Sequence, residues 1–173
     1  AQLIETQSSY KVNGMAKDRK EALGMLEKVK PNLAIVDLNL GQEDGLELIK
    51  DISVINPSTK VLVLSMHDER FYAERALKAG ARGYIMKQEA ESQVINAIQT
   101  VMEGKIYLSE RELERIKDLS KHDKSIKREK REHYDIIMKY SVMIIDDHPL
   151  FSRGLAQLIE TQSSYKVNGM AKD

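Results

Sequence analysis

The sequence contains no cysteine and no tryptophan, and only two of its 173 residues are phenylalanine. Without cysteine the chain forms neither disulfides nor thiolate metal sites. Its 27 basic residues equal its 27 acidic residues, so no overall charge attracts it to nucleic acid or anionic lipid. No apolar run approaches the roughly 20 residues that a membrane span needs, and no secretory signal opens the sequence. We expect a soluble, cytoplasmic protein with one domain.

One segment of the sequence occurs twice without a single change. Residues 1–18 read AQLIETQSSYKVNGMAKD, and residues 156–173 repeat them letter for letter. Natural repeats diverge, so this identity indicates recent copying, most simply by design. We expect one domain in circularly permuted order, with residues 1–18 as the surplus copy and the join between residues 173 and 19.

Short apolar runs alternate with helical patterns along most of the chain. Strands alternating with helices of this length imply a parallel sheet that is covered on both faces. The predicted strands are residues 10–16, 32–38, 60–65, 83–87 and 141–146, with 165–171 as the second copy of the first. The predicted helices are residues 19–30, 45–52, 69–79, 89–103 and 150–161.

The segment 107–139 differs in composition from the rest of the chain. Ser109 and Glu112 form the Ser-x-x-Glu pattern of a capping box, which predicts that a helix begins there. Basic residues then outnumber acidic ones without interleaved aromatic residues. This composition favours a solvated, charged helical bridge over a nucleic-acid surface.

Polar residues end four of the predicted strands. Asp146 and Asp147 end one strand and Asp37 ends another, and the carboxyl ends of parallel strands share one edge of the sheet. Three carboxylates there would repel one another unless a divalent cation neutralised them, and oxygen ligands suit Mg²⁺. Ser65 and Lys87 end two further strands and could hold an anion at the same edge. A single such aspartate is typical of a turn or helix cap, so only the joint arrangement is specific.

The segments that contain these residues resemble the receiver domain of two-component response regulators. VMIIDDHPLF, LAIVDLNLGQEDGLEL, VLVLSMHDE and AGARGYIMK carry the resemblance, which covers nearly everything outside the bridge. DDHPLF and SMHDE resemble the branch whose members usually carry a C-terminal helix-turn-helix output domain. The resemblance implies an α/β, flavodoxin-like fold: a five-stranded parallel sheet of order 2-1-3-4-5 with helices on both faces, plus the helical bridge.

The resemblance also assigns roles to the polar residues. Asp37 would be the phosphoacceptor, receiving a phosphoryl group from a histidine kinase. Asp146 and Asp147 would bind Mg²⁺ beside Asp37, and the backbone carbonyl of Asn39 would complete the protein ligands. Lys87 would pair with the phosphoryl group.

The same resemblance implies further roles around the phosphorylation site. Ser65 would hydrogen-bond the phosphoryl group, and Tyr84 would be the aromatic switch that turns inward as Ser65 moves. Asn39 and His67 would tune the hydrolysis of the acyl phosphate. We expect His148, beside the acidic pair, to be a polar rim residue rather than a metal ligand.

The resemblance divides the chain into four segments. Residues 1–18 duplicate 156–173, which form the second half of the first receiver helix and the second strand. Residues 19–106 run from the second to the fifth receiver helix, 107–139 are the bridge, a remnant of an output-domain linker, and 140–173 run from the first to the second strand.

Three other functions remain open. A DNA-binding transcriptional regulator would need a recognition helix, which the sequence after residue 107 does not supply, so we expect no DNA partner. A Mg²⁺-dependent phosphatase would need an acid two positions after Asp37, where Asn39 stands. An engineered assembly module would exchange the duplicated segment between chains. It would form a homodimer or a segment-swapped oligomer. We expect no membrane partner and no enzyme activity beyond self-phosphorylation and dephosphorylation.

Overall fold

The computed structural model describes residues 9–120 and 139–164. Strands and helices alternate through the first of these ranges, and a strand and a helix make up the second. In chain order the elements are β1 (Ser9–Ala16), α1 (Arg19–Val29), β2 (Leu33–Val36), β3 (Asn39–Leu40), β4 (Glu43–Asp44), α2 (Gly45–Ile55), β5 (Lys60–Ser65), α3 (Glu69–Ala79), β6 (Gly83–Met86), a 3₁₀ turn (Lys87–Glu89), α4 (Ala90–Met102), α5 (Glu110–Ser120), β7 (Lys139–Ile145) and α6 (Pro149–Ser164).

Five strands form one parallel sheet in the order β1-β7-β2-β5-β6. The late strand β7 lies between β1 and β2, where Val142 is in register with Val12 on one side and Leu33 on the other. Counting β7 as the first strand gives the order 2-1-3-4-5. The predicted flavodoxin-like sheet is therefore confirmed.

The central strands of the sheet are buried on both faces, which explains why β2 and β5 are almost entirely apolar. Alternate residues of a strand point to opposite faces. In β2, Ala34 and Val36 therefore join one core cluster, and Leu33 and Ile35 join the other. Helices α1, α2 and α3 supply Leu26, Ile49, Ala73 and neighbouring side chains to the first cluster, and α4 and α6 supply Val94, Ile98 and Ile159 to the second.

The strand β1 comes from the first copy of the duplicated segment, contrary to our expectation that this copy is surplus. Ser9–Ala16 pairs with β7, whereas the second copy of that strand, at 165–171, lies outside the described residues. Helix α6 extends to Ser164 and so uses the second copy. The two copies meet at a seam, where the Val12 amide of the first copy donates to Glu160 Oε1 of the second at 3.0 Å.

The loop from β1 to α1 gives a physical reason for using the first copy. Asp18 caps α1, because its Oδ1 accepts a hydrogen bond from the Glu21 amide at 2.8 Å. Glu21 Oε2 in turn accepts from the Lys17 amide at 3.0 Å. The first copy therefore supplies the strand and the helix cap in one continuous segment, and such a cap contributes about 1 kcal/mol.

The bridge helix α5 packs on α3, a contact that the sequence did not predict. Leu113 and Ile116 contact the first core cluster, and Arg115 Nη1 lies 3.6 Å from Glu74 Oε2. The helix begins where predicted, since Ser109 Oγ accepts a hydrogen bond from the Glu112 amide at 3.3 Å.

The other half of the predicted capping box differs in the structure. The Ser109 amide donates to Glu69 Oε1 of α3 at 2.8 Å, and not to Glu112. Glu112 is instead buried and accepts a hydrogen bond from Arg115. Residues 121–138, the most basic part of the bridge, lie outside the described residues. None of the helices in residues 9–120 and 139–164 has the length and apolar character to cross a membrane.

The two copies of the duplicated segment can be distinguished by paired substitutions. Tyr10 is buried and stacks on Tyr140 with ring centroids 5.8 Å apart. We expect Tyr10→Ala to lower the free energy of unfolding by about 3 kcal/mol, because it leaves a cavity at the sheet edge. The matched substitution Tyr165→Ala should leave that free energy unchanged in urea denaturation. Equal losses in the two variants would show instead that both copies occupy the edge.

Candidate functional site

Four of the predicted site residues meet at the carboxyl edge of the sheet. Asp37 follows β2, Asp146 and Asp147 follow β7, and Lys87 begins the turn after β6. Lys87 Nζ lies 2.9 Å from Asp37 Oδ2 and 2.6 Å from Asp146 Oδ2. All three side chains are at most 6% exposed, so the ion pairs are buried.

Burial and charge act in opposite directions on these groups. Burial raises the pKa of the Asp37 carboxyl, and the hydrogen bonds from Lys87 and the Asn39 amide only partly offset this effect. Burial alone would lower the pKa of Lys87, but its hydrogen bonds to Asp146 and Asp37 outweigh it and leave that pKa above its ordinary value. Lys87 therefore stays an ammonium ion that holds two buried carboxylates together.

Asp147 presents an oxygen without a hydrogen bond to the same cluster. Its Oδ2 accepts from the Gly41 amide at 3.0 Å, whereas its buried Oδ1 accepts no hydrogen bond from the described residues. His148 Nδ1 lies 2.9 Å from this Oδ1, but that nitrogen is hydrogen-bonded to Asp146 Oδ1, also at 2.9 Å. Buried polar atoms are seldom left unpaired, so this oxygen is a candidate ligand for a cation.

The composition of the cluster fits a divalent cation. One oxygen from each of Asp37, Asp146 and Asp147 and one nitrogen of His148 lie within 4.8 Å of one another. Three carboxylates face a single lysine ammonium, so negative charge remains uncompensated at this edge. Hard oxygen ligands and excess negative charge are what Mg²⁺ requires in proteins.

Asn39 and His67 lie together at the rim of the site. The Asn39 amide nitrogen of the backbone donates to Asp37 Oδ1 at 3.0 Å, which orients the carboxylate. The Asn39 side chain lies 2.9 Å from His67 Nε2, and the imidazole stacks on the Tyr72 ring at a centroid distance of 4.6 Å. A ligand role for the Asn39 carbonyl stays a prediction.

Ser65 and Tyr84 are linked through the backbone of His67. Ser65 is fully buried at the end of β5, and its Oγ accepts a hydrogen bond from the His67 amide at 3.1 Å. Tyr84 points inward with 2% of its surface exposed, and its hydroxyl donates to the His67 carbonyl at 2.8 Å. Ser65 and Tyr84 therefore share one hydrogen-bonding partner, the backbone of His67.

Sequence reasoning missed three contributors to the site. Gly41, at φ +63, bends the β3–β4 hairpin so that its amide reaches Asp147. Gly45 lies so close to the backbone of Asp37 and Leu38 that a Cβ would collide with it. The Phe151 ring lies 4.6 Å from Lys87 Nζ, a cation–π distance. The glycines of LGQEDG were a usable signal, because such residues often mark close backbone approach.

Burial of Tyr84 gives a test by titration. Desolvation raises the pKa of its hydroxyl to about 12 from the ordinary 10.0. Folding therefore favours the neutral phenol, and we expect stability to fall as the pH rises from about 10 toward 12, because the unfolded chain ionises first. The tyrosinate absorbance that develops near pH 12, recorded after rapid mixing, should fall more in Tyr84→Phe than in Tyr107→Phe, because burial also raises the pKa of Tyr107. No loss of this absorbance in Tyr84→Phe would contradict the assignment.

Comparisons with known proteins agree with this architecture. The family model described as "Response regulator receiver domain" matches residues 1–99, more than half of the chain, including Asp37, Ser65 and Lys87. The chemotaxis protein CheY of Thermotoga maritima is 32% identical over 98 residues, which cover 57% of this chain and 82% of that protein. The oxygen regulatory protein NreC of Staphylococcus epidermidis is 36% identical over 107 residues, 61% of this chain and 49% of NreC.

Several relatives are longer than the matched region. The transcriptional regulatory protein DegU of Brevibacillus brevis is 31% identical over 106 residues, 61% of this chain and 45% of DegU. The chain thus spans about half the length of these regulatory proteins.

Solved structures show the same fold. The isolated receiver domain of RcsB from Salmonella enterica serovar Typhimurium, in its apo form, aligns with a TM-score of 0.52 and 26% identity, over 59% of this chain and 74% of that one. A LuxR-family two-component response regulator from Aurantimonas sp. SI85-9A1 aligns with a TM-score of 0.53 and 25% identity, over 59% and 73%. The sequence match, the sheet order and the structural alignments agree, and the chain belongs to the response regulator receiver domain family.

Proposed function

We propose that this protein is a phosphoacceptor in two-component signalling, with Asp37 as the phosphorylated residue and a histidine kinase as the donor. One observation carries the proposal. Asp37 is buried, is hydrogen-bonded to Lys87, and lies beside Asp146 and Asp147, of which Asp147 Oδ1 accepts no hydrogen bond within the described part of the chain. Burial of an isolated carboxylate costs free energy of folding. A bound cation and a phosphoryl group at the site would account for why these carboxylates are buried together.

The cation in this proposal is Mg²⁺. Asp37, Asp146 and Asp147 would hold it through carboxylate oxygens, and the backbone carbonyl of Asn39 would complete the protein ligands. When bound, the ion would neutralise carboxylate charge and the charge on the transferred phosphoryl oxygens.

The residues of the chain account for the transfer itself. A carboxylate oxygen of Asp37 forms a bond to phosphorus while the bond between phosphorus and the donor atom breaks. The electron pair of that bond leaves with the donor, which takes up a proton from solvent. Lys87 donates hydrogen bonds to Asp37 and can donate to a phosphoryl oxygen placed between them, so positive charge faces the developing negative charge.

A switch follows from the hydrogen bonds around His67. In our proposal Ser65 moves to donate its hydroxyl to the phosphoryl group, which breaks its bond with the His67 amide. The same residue holds the Tyr84 hydroxyl, and the Tyr84 amide donates to the Tyr107 carbonyl at 3.0 Å. The change would thus reach the start of the bridge. Asn39 and His67 at the rim would set the lifetime of the acyl phosphate.

We also propose that the chain order is a circular permutation of the receiver order. Support comes from β7, which carries the acidic pair of the predicted first strand yet follows all other strands in the sequence. The duplicated segment, residues 1–18 and 156–173, contains the point at which the permuted order departs from the receiver order. A homodimer or segment-swapped oligomer stays a prediction.

Phosphorylation by a small donor tests the proposed acceptor. Incubation with acetyl phosphate and Mg²⁺ should add one phosphoryl group, read as a mass increase by intact-protein mass spectrometry. The adduct should be stable in acid and labile in base, as an acyl phosphate is. We expect Asp37→Asn to reduce uptake at least 100-fold, because an amide is not a nucleophile of the required kind.

A matched control separates this effect from a general loss of charge. Asp118 is an exposed aspartate on α5, and Asp118→Asn should be phosphorylated as the wild type is. Uptake that survives in Asp37→Asn, with the modified peptide mapped elsewhere, would refute Asp37 as the acceptor.

A further inference from the structure

We propose that His148 is a nitrogen ligand of the cation site and that it raises the site's affinity for first-row transition-metal ions relative to its affinity for Mg²⁺. The inference rests on the cation site of the proposed function and changes its expected ligand set. The sequence alone favoured His148 as a rim residue, but the structure places its Nδ1 among the carboxylate oxygens of the site.

The distances around Nδ1 match those between ligands of a single ion. Nδ1 lies 2.9 Å from Asp146 Oδ1, 2.9 Å from Asp147 Oδ1 and 3.9 Å from Asp37 Oδ2. For metal–ligand bonds of about 2.1 Å, neighbouring ligands of an octahedron are about 3.0 Å apart and opposite ligands about 4.2 Å. The two distances of 2.9 Å lie just below the value for neighbouring ligands, and the distance of 3.9 Å lies between the two values.

The backbone of His148 is fixed although its side chain is not buried. Its amide donates to Asp146 Oδ1 at 2.8 Å, and its carbonyl accepts from the amide and hydroxyl of Ser152 in the first turn of α6. The side chain is 62% exposed. Replacement of the imidazole therefore removes a donor from the site without opening a cavity in the core.

The choice of donor atom determines which ion benefits. Mg²⁺ prefers oxygen ligands and releases its waters reluctantly, so an imidazole adds little to its affinity. Ni²⁺ bonds imidazole nitrogen strongly, and Mn²⁺ occupies a position between the two in the general order of affinities. A site with three carboxylates and one imidazole should therefore separate these ions more strongly than a site with carboxylates alone.

The test compares three ions on two proteins. Calorimetric titrations at pH 8 measure the binding of Ni²⁺, Mn²⁺ and Mg²⁺ to the wild type and to His148→Ala. We expect His148→Ala to weaken Ni²⁺ binding at least 10-fold and Mn²⁺ binding less, while Mg²⁺ binding changes less than 3-fold. Pulsed electron paramagnetic resonance of bound Mn²⁺ should show coupling to a nitrogen nucleus in the wild type that is lost in His148→Ala.

Two controls keep the outcome specific. His122→Ala with His133→Ala removes histidines outside the described residues and should leave the site's affinity for Ni²⁺ unchanged. Asp147→Asn should weaken the binding of all three ions; if it weakens none, the cation site of the proposed function fails, whatever His148 does.

Two results would overturn the role of His148 itself. If His148→Ala strengthens the binding of all three ions, the imidazole competes with the cation for Asp146 and Asp147 instead of joining it. If the substitution weakens all three equally, or leaves all three unchanged and the nitrogen coupling intact, the imidazole does not bond the metal.

Discussion

The ammonium group of Lys87 connects the parts of this protein that matter for its chemistry. It lies after β6 and pairs with Asp37 after β2 and Asp146 after β7. Strand β5 stands between β2 and β6, so the lysine side chain must cross the end of β5, where Ser65 is buried. Two carboxylates this close and this buried would repel one another without the lysine. The acidic edge therefore depends on a sheet order that brings three separate strand ends within reach of one side chain.

Much of this arrangement could be predicted because its signals are local. The apolar runs of β5 and β2, the glycine that ends α3 at Gly80, and the aspartates after β2 and β7 each follow from short stretches of sequence. The carboxyl-edge rule then places the carboxylates together before any coordinates are known. Buried parallel strands and the polar residues at their ends can thus be predicted from sequence. The grouping of Asp37, Asp146, Asp147 and Lys87 at one edge was predicted in this way.

The features that were missed depend on contacts between distant segments. The Glu69–Ser109 hydrogen bond, which replaces half of the expected capping box, joins residues 40 positions apart. The imidazole of His148 could be read from sequence only as a polar neighbour of Asp147, because its rotamer decides whether it faces the cluster. Identical sequences also offer no local signal for choosing between two copies of one strand, and the copy found in the sheet is the one whose Asp18 also caps α1.

The seam between the two copies, where β1 contacts α6, has a mechanical consequence. β1 begins and α6 ends at the amino side of the sheet, whereas the carboxylates lie at the opposite side. A force applied between Ser9 and Ser164 would load the contact between Val12 and Glu160 before it reached Asp37 or Lys87. The protein would then open along β1 while β7, β2, β5 and β6 still held the acidic edge in place. The contact that joins the two copies would therefore break first, far from the acidic edge of the sheet.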